Sequence, residues 1–151
     1  MSCCVSPYQA RYLWTTSWLS LFSALYALHK AHYDLAPVPA CIWITSIIYW
    51  WHPDYSWRRY LDMSAVIVGL IYQLIRARYA EHAILYYSVT ALSLVFYPLG
   101  IIAANKRYMW LSVILHSMLH FGGNVANIVL YRQVLNVRTH TDEEHLSRVN
   151  I

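Results

Sequence analysis

Two histidines one helical turn apart, His116 and His120, are the residues of this chain best placed for chemistry. Imidazoles at i and i+4 point toward one spot, which is how a helix presents two nitrogen ligands to a metal ion. They belong to a longer pattern in which Ser112, His116, His120, Asn124 and Asn127 recur at spacings of four, four, four and three. That spacing is one face of a helix. The surrounding residues are strongly apolar, so the face has to look toward partner groups, water or an ion rather than toward hydrocarbon. Two uses of the stripe stay open. The histidines are expected to hold a metal or to hydrogen-bond between helices, and the asparagines, with the small Gly122, Gly123 and Ala126, also suit close helix packing.

A zinc ion that does chemistry takes three protein ligands and keeps a position open for water. The third ligand has to come from another helix at similar depth, and His52 and Asp62 qualify because the loop between them falls on the side of the membrane where the stripe begins. An aspartate just inside an apolar helix is costly. Its alternatives are an ion pair with Arg58 or Arg59 or capping contacts at the helix start.

The elements that carry these residues follow from composition. The chain has 151 residues, of which 59% are hydrophobic and only 12% charged, against roughly 25% charged in ordinary soluble domains. The charges divide the apolar residues into five runs, giving expected spans at about 12–29, 35–52, 60–76, 82–104 and 108–131, with a polar tail over 136–151. Crossing ~30 Å of hydrocarbon takes roughly 20 helical residues. The third run is the doubtful span, since it is short and contains Asp62. Short loops predict an all-α, up-and-down bundle in a single domain. Trp50, Trp51, Tyr55, Trp57, Tyr108 and Trp110 at the run ends read as an aromatic belt.

Lysine and arginine split evenly between the two sides of such a bundle, so orientation is not set by the positive-inside rule. The formal charge of +4 contains no basic cluster longer than two residues, which speaks for lipid headgroups and against nucleic acid. The first apolar run is too long for a cleavable signal and is expected to act as its own insertion signal. Cys3 and Cys4 precede it as possible palmitoylation sites, Cys41 reads as packing, and three cysteines without C-x-x-C spacing predict no disulfide framework.

Trp51-His52, then Tyr60-Leu61-Asp62-Met63-Ser64-Ala65-Val66-Ile67, then His116-Ser117-Met118-Leu119-His120 resemble the motif series of the alkaline ceramidase and progestin/adipoQ-receptor superfamily of intramembrane metal hydrolases. The resemblance covers roughly residues 45 to 127 and rests on four residues. It implies a zinc held by His52, His116 and His120, with Asp62 orienting or deprotonating the water that attacks a lipid amide or ester. It also implies an endomembrane location of the endoplasmic reticulum or Golgi kind. The family has seven spans and this chain has room for five. The family's serine lies one turn before the histidine, where this sequence has Ile48, so oxyanion support falls to Ser46, with Thr45 beside it. The three ligands reach one level only if Tyr108 and Trp110 lie in the headgroup layer, because Pro53 disfavours helix at His52 and holds it at the membrane edge.

Two other classes stay open. The stripe of Ser112, Asn124 and Asn127 suits a non-enzymatic subunit that docks another membrane protein or a second copy of itself. A haem-binding bundle needs histidines on facing helices, for which His29 or His32 with His82 are the candidates. His140 and His145 lie in the polar tail and read as solvated.

Overall fold

A computed structural model describes residues 5–133; Cys3, Cys4, His140, His145 and the expected polar tail lie outside the described residues. Five α-helices and no strand occur among the described residues: α1 Pro7–His29, α2 Pro37–Trp51, α3 Trp57–Ala77, α4 Ala83–Asn105 and α5 Met109–Gln133.

Several helix ends have a local cause. In α1, Ser6 accepts from the Gln9 amide while the Gln9 side chain accepts from the Ser6 amide, a reciprocal capping box behind Pro7. This box starts α1 five residues earlier than the charge spacing predicts. Both α1 and α4 end in the same turn, with residue C′ left-handed at Ala31 (φ 59°) and Arg107 (φ 64°). The bonds that close it are paired, His32 N–H to Ala27 O with Ala31 N–H to Leu28 O, and Tyr108 N–H to Ala103 O with Arg107 N–H to Ala104 O. These are Schellman turns. They fold α1 back on α2 and α4 back on α5 as two tight hairpins.

Three helices, α3, α4 and α5 as far as Arg132, are long and apolar enough to cross a membrane. The expected weak span proves not to be the third. Ser56 caps α3 early, so α3 runs 21 residues, whereas α2 has only 15, about 22 Å against ~30 Å of hydrocarbon. Large apolar side chains point outward, including Ile84 at 81% exposure, Val68 at 67% and Leu92 at 65%. Buried positions are rich in small and polar groups instead, among them Ser17, Ser23, Thr45, Ser46, Gln73, Thr90, Ser93 and Asn127. Cys41, expected to pack, is exposed.

Neighbouring helices follow the order α4, α5, α1, α2, α3 around the bundle, and α3 touches α4 only sparsely. The ring is therefore open along one seam. Tyr87 reaches the Leu74 carbonyl at 3.0 Å near the turn that joins these two helices. Farther from that turn a chamber separates them.

Candidate functional site: a chamber between α3, α4 and α5

The chamber has a volume of about 310 Å³. Helix α5 supplies one wall through His116, His120, Gly123, Asn124 and Asn127. Asn124 and Asn127 are each 8% exposed, so this part of the stripe faces the interior of the bundle. The Asn124 Oδ1 accepts from Ser23 at 2.6 Å and its Nδ2 donates to the His120 carbonyl at 2.7 Å. These bonds tie the middle of α5 to α1. Ser112, the first member of the stripe, lies outside the lining. It packs instead against Gly100 of α4, where an added Cβ would stand 3.6 Å from the Ser112 carbonyl oxygen.

The imidazoles of His116 and His120 meet edge to face with centroids 4.9 Å apart, as their spacing predicts. The Nδ1 of His120 sits 3.2 Å from the Thr16 hydroxyl. Trp50 of α2 lies edge-on to the His116 ring at 5.3 Å, and Tyr97 of α4 flanks it at 6.5 Å. Aromatic rings thus flank His116 on two sides.

His52 is not brought to the pair. The helix stops at Trp51 because Pro53 disfavours αR backbone at the residue before it, and His52 becomes the exposed C-cap with φ −140°, its ring 6.2 Å from that of Trp51. Among the described residues no group of three or more His, Cys, Asp or Glu side chains stands close enough to hold a metal ion. The three residues that the motif resemblance implies as zinc ligands are therefore not gathered at one point.

Asp62 does face the chamber, and Ser46 comes with it. The Asp62 Oδ1 accepts from the Ser46 hydroxyl at 2.6 Å and from the Thr45 hydroxyl at 3.0 Å. Among the described residues its Oδ2 accepts no hydrogen bond. Neither arginine considered as its counter-ion serves as one. Arg58 pairs with Asp54 at 2.6 Å, and Arg59 lies 4.9 Å from the centre of the Tyr55 ring. The Ser56 hydroxyl and then Arg58 hold the Asp54 carboxyl below its usual range in the loop between α2 and α3.

The wall from α4 is a site that the sequence signals and that the histidine pattern overshadows. Tyr86, Thr90, Ser93 and Tyr97 recur at four, three and four, the same one-face signal as in α5, and all four line the chamber. On α3, Asp62, Val66 and Gln73 share the inward face. Gln73 donates to the Tyr131 hydroxyl at 2.9 Å.

The histidines weighed for haem are spent differently. The His32 Nε2 donates to the Tyr131 carbonyl at 2.8 Å, which commits that nitrogen, while His29 and His82 are exposed at helix ends.

Among the described residues the lining contains one carboxylate, hydroxyls, carboxamides and imidazoles, with no lysine or arginine. Apolar side chains, Ile42, Met63, Val66, Ile67, Leu70 and Leu119 among them, make up most of its surface. Such a surface offers acceptors to hydroxyl, amide N–H or ammonium groups and offers no cation to a phosphate. No protein-family model, curated protein or solved structure matches the chain.

Proposed function

We propose that the chain is a multi-pass membrane protein, all five helices crossing or entering the bilayer, that binds an amphiphile whose neutral or cationic head carries hydroxyl, amide or amino groups. The carrying observation is a mainly apolar chamber opening between α3 and α4, whose polar groups include one carboxylate with a free oxygen and, among the described residues, no cation. A volume of about 310 Å³ suits a headgroup rather than a whole lipid. The hydrocarbon tail then lies in the seam, against Met63, Val66, Ile67 and Leu94. Because the seam faces sideways, the amphiphile reaches the chamber from the bilayer plane.

The expected binding mode has Asp62 Oδ2 accepting from the head, with the His116 and His120 rings and the Asn127 amide around it. Photoactivatable sphingosine, an amino alcohol, should label α3 and α4 peptides that line the chamber, and a phosphatidylcholine probe should not. Asp62→Asn keeps an acceptor for Ser46 and Thr45 but removes the charge, so labelling should fall about tenfold, equivalent to ~1.4 kcal/mol. Gly123→Leu tests the volume separately. A Cβ at Gly123 meets nothing within 4 Å, so the larger side chain fills the chamber without a clash at the backbone. Equal labelling of both probes over the outer surface, unchanged in both variants, would remove the reading.

A zinc-dependent lipid hydrolase, ceramidase-like, is the second reading, favoured by the 4.9 Å approach of His116 and His120 on the chamber wall. Two ligands do not make a catalytic zinc site. The expected result of elemental analysis on detergent-purified protein after a light chelator wash is no stoichiometric metal. One zinc per chain, lost in both His116→Ala and His120→Ala, would replace the binding reading with the hydrolase.

A further inference from the structure

A second concavity lies on the outer surface, on the face of α5 adjacent to the chamber, with Asn124 lining both. It is a cleft of about 480 Å³ between α1 and α5, and its charge is the reverse of the chamber's. Among the described residues the only lysine or arginine in its lining are Lys30 and Arg132, and no carboxylate joins them. Lys30 caps α1 and Arg132 sits in the last turn of α5. The two helix ends are fastened side by side by the hydrogen bond from His32 Nε2 to the Tyr131 carbonyl at 2.8 Å. Both cations therefore stand at the same end of the cleft. Among the described residues neither has a carboxylate partner, whereas Arg58 and Arg76 are paired with Asp54 and Asp34.

Below the cations the walls are apolar and open. Phe22 is 65% exposed and Phe121 58%, and Ile128 lies above Phe121 on α5. From Lys30 down to Leu19 the cleft spans eleven residues, about 16 Å of helix. Half of a ~30 Å hydrocarbon core is about the same length. A cationic mouth over an apolar trough one leaflet deep is complementary to an anion carrying a single extended hydrocarbon chain.

We infer that the cleft between α1 and α5 binds an anionic glycerophospholipid, its phosphodiester held between Lys30 and Arg132 and one acyl chain laid along Phe22, Phe121 and Ile128. The site rests on the membrane reading alone and not on what the chamber holds. Phosphate suits it because the mouth offers two cations, the arginine with a fork of donors, at the level where headgroups lie. A neutral zwitterionic head gains less, since its own ammonium competes for the phosphate.

Native mass spectrometry of the full chain from detergent, with equal dioleoylphosphatidylglycerol and dioleoylphosphatidylcholine, reads the preference directly. One phosphatidylglycerol per chain, favoured about tenfold, is expected for the wild type. Lys30→Gln with Arg132→Gln should abolish that preference. Lys106→Gln with Arg107→Gln removes as much charge at the other end of the bundle and should leave it intact. No headgroup preference in the wild type overturns the proposal, as does a preference that survives in the Lys30/Arg132 pair. A preference that appears only after Asp142→Asn, Glu143→Gln and Glu144→Gln also overturns it, because the cleft would then be filled by the chain's own acidic segment.

Discussion

Replacing Tyr131 by alanine is expected to lower the apparent melting temperature of the purified protein by roughly 10 °C, following from about 3 kcal/mol of lost stability. Tyr131 is fully buried, packed with Tyr86, Leu130 and Ala27 in the largest apolar cluster. Its hydroxyl accepts from Gln73 of α3 and its carbonyl accepts from His32 beyond α1. One residue of α5 thus holds two other segments. Alanine removes the ring and leaves a void, and it also strands the Gln73 amide in an apolar interior, whereas the carbonyl bond to His32 survives. Tyr131→Phe isolates the polar part and should cost about 1 kcal/mol, since lost hydrogen bonds inside membrane bundles are worth little more than that. A thermal melt followed by fluorescence separates the two. Equal, small effects of both variants would show that the ring is not a packing element.

Gly122→Val should be as damaging, for the opposite reason. A Cβ at Gly122 would stand 2.9 Å from the Ser93 Cβ and closer still to its hydroxyl. The hydroxyl can rotate, but the Cβ is fixed to the α4 backbone, so α4 and α5 have to separate. Overpacking of this kind costs about 3 kcal/mol at the upper end of its usual range. Ser93→Gly removes the obstacle and should restore most of the loss in the double variant, a coupling measurable as a cycle. If Ser93→Gly rescues nothing, the close approach of α4 and α5 is not what makes glycine necessary. The neighbouring Gly123 faces open chamber, so two adjacent glycines have unlike roles that their type alone does not reveal.

Much of the architecture is legible in the distribution of charge along the chain. Charges bracket the helices because they are expelled from apolar surroundings, and the five elements fall close to the expected bounds. The departures lie at ends set by hydrogen bonds and backbone sterics rather than by hydropathy: the Ser6 box lengthens α1, the Ser56 cap lengthens α3, and Pro53 shortens α2. In the candidate site, spacing within one helix transfers well. His116 meets His120, and the asparagine stripe turns inward. Relations between helices do not transfer. His52 and Trp50 differ by two residues, about 200° around a helix, and it is Trp50 that arrives beside His116. No periodicity within α2 says which of its residues lies level with a given turn of α5. The same limit hides the bond from Ser46 to Asp62 as a structural fastening, although the type and position of both residues mark them for the site.

The attachment of α3 has a kinetic corollary. Near its C-terminal end the helix is held by Gln73 to α5, by the Leu74 carbonyl to Tyr87 of α4, and by Arg76 to Asp34 at 2.7 Å. Gly69 lets it lie close to Val38 of α2 at its middle. Toward its N-terminus, about 16 Å from Gln73 along the axis, Asp62 is hydrogen-bonded to Ser46 and Thr45 of α2. The opening that breaks the fewest bonds is therefore a swing of the N-terminal half of α3 about its C-terminal half, with that carboxylate as the latch. Amide hydrogens from Ser64 to Val68 should accordingly exchange faster than those from Gly69 to Gln73, in a gradient along a single helix.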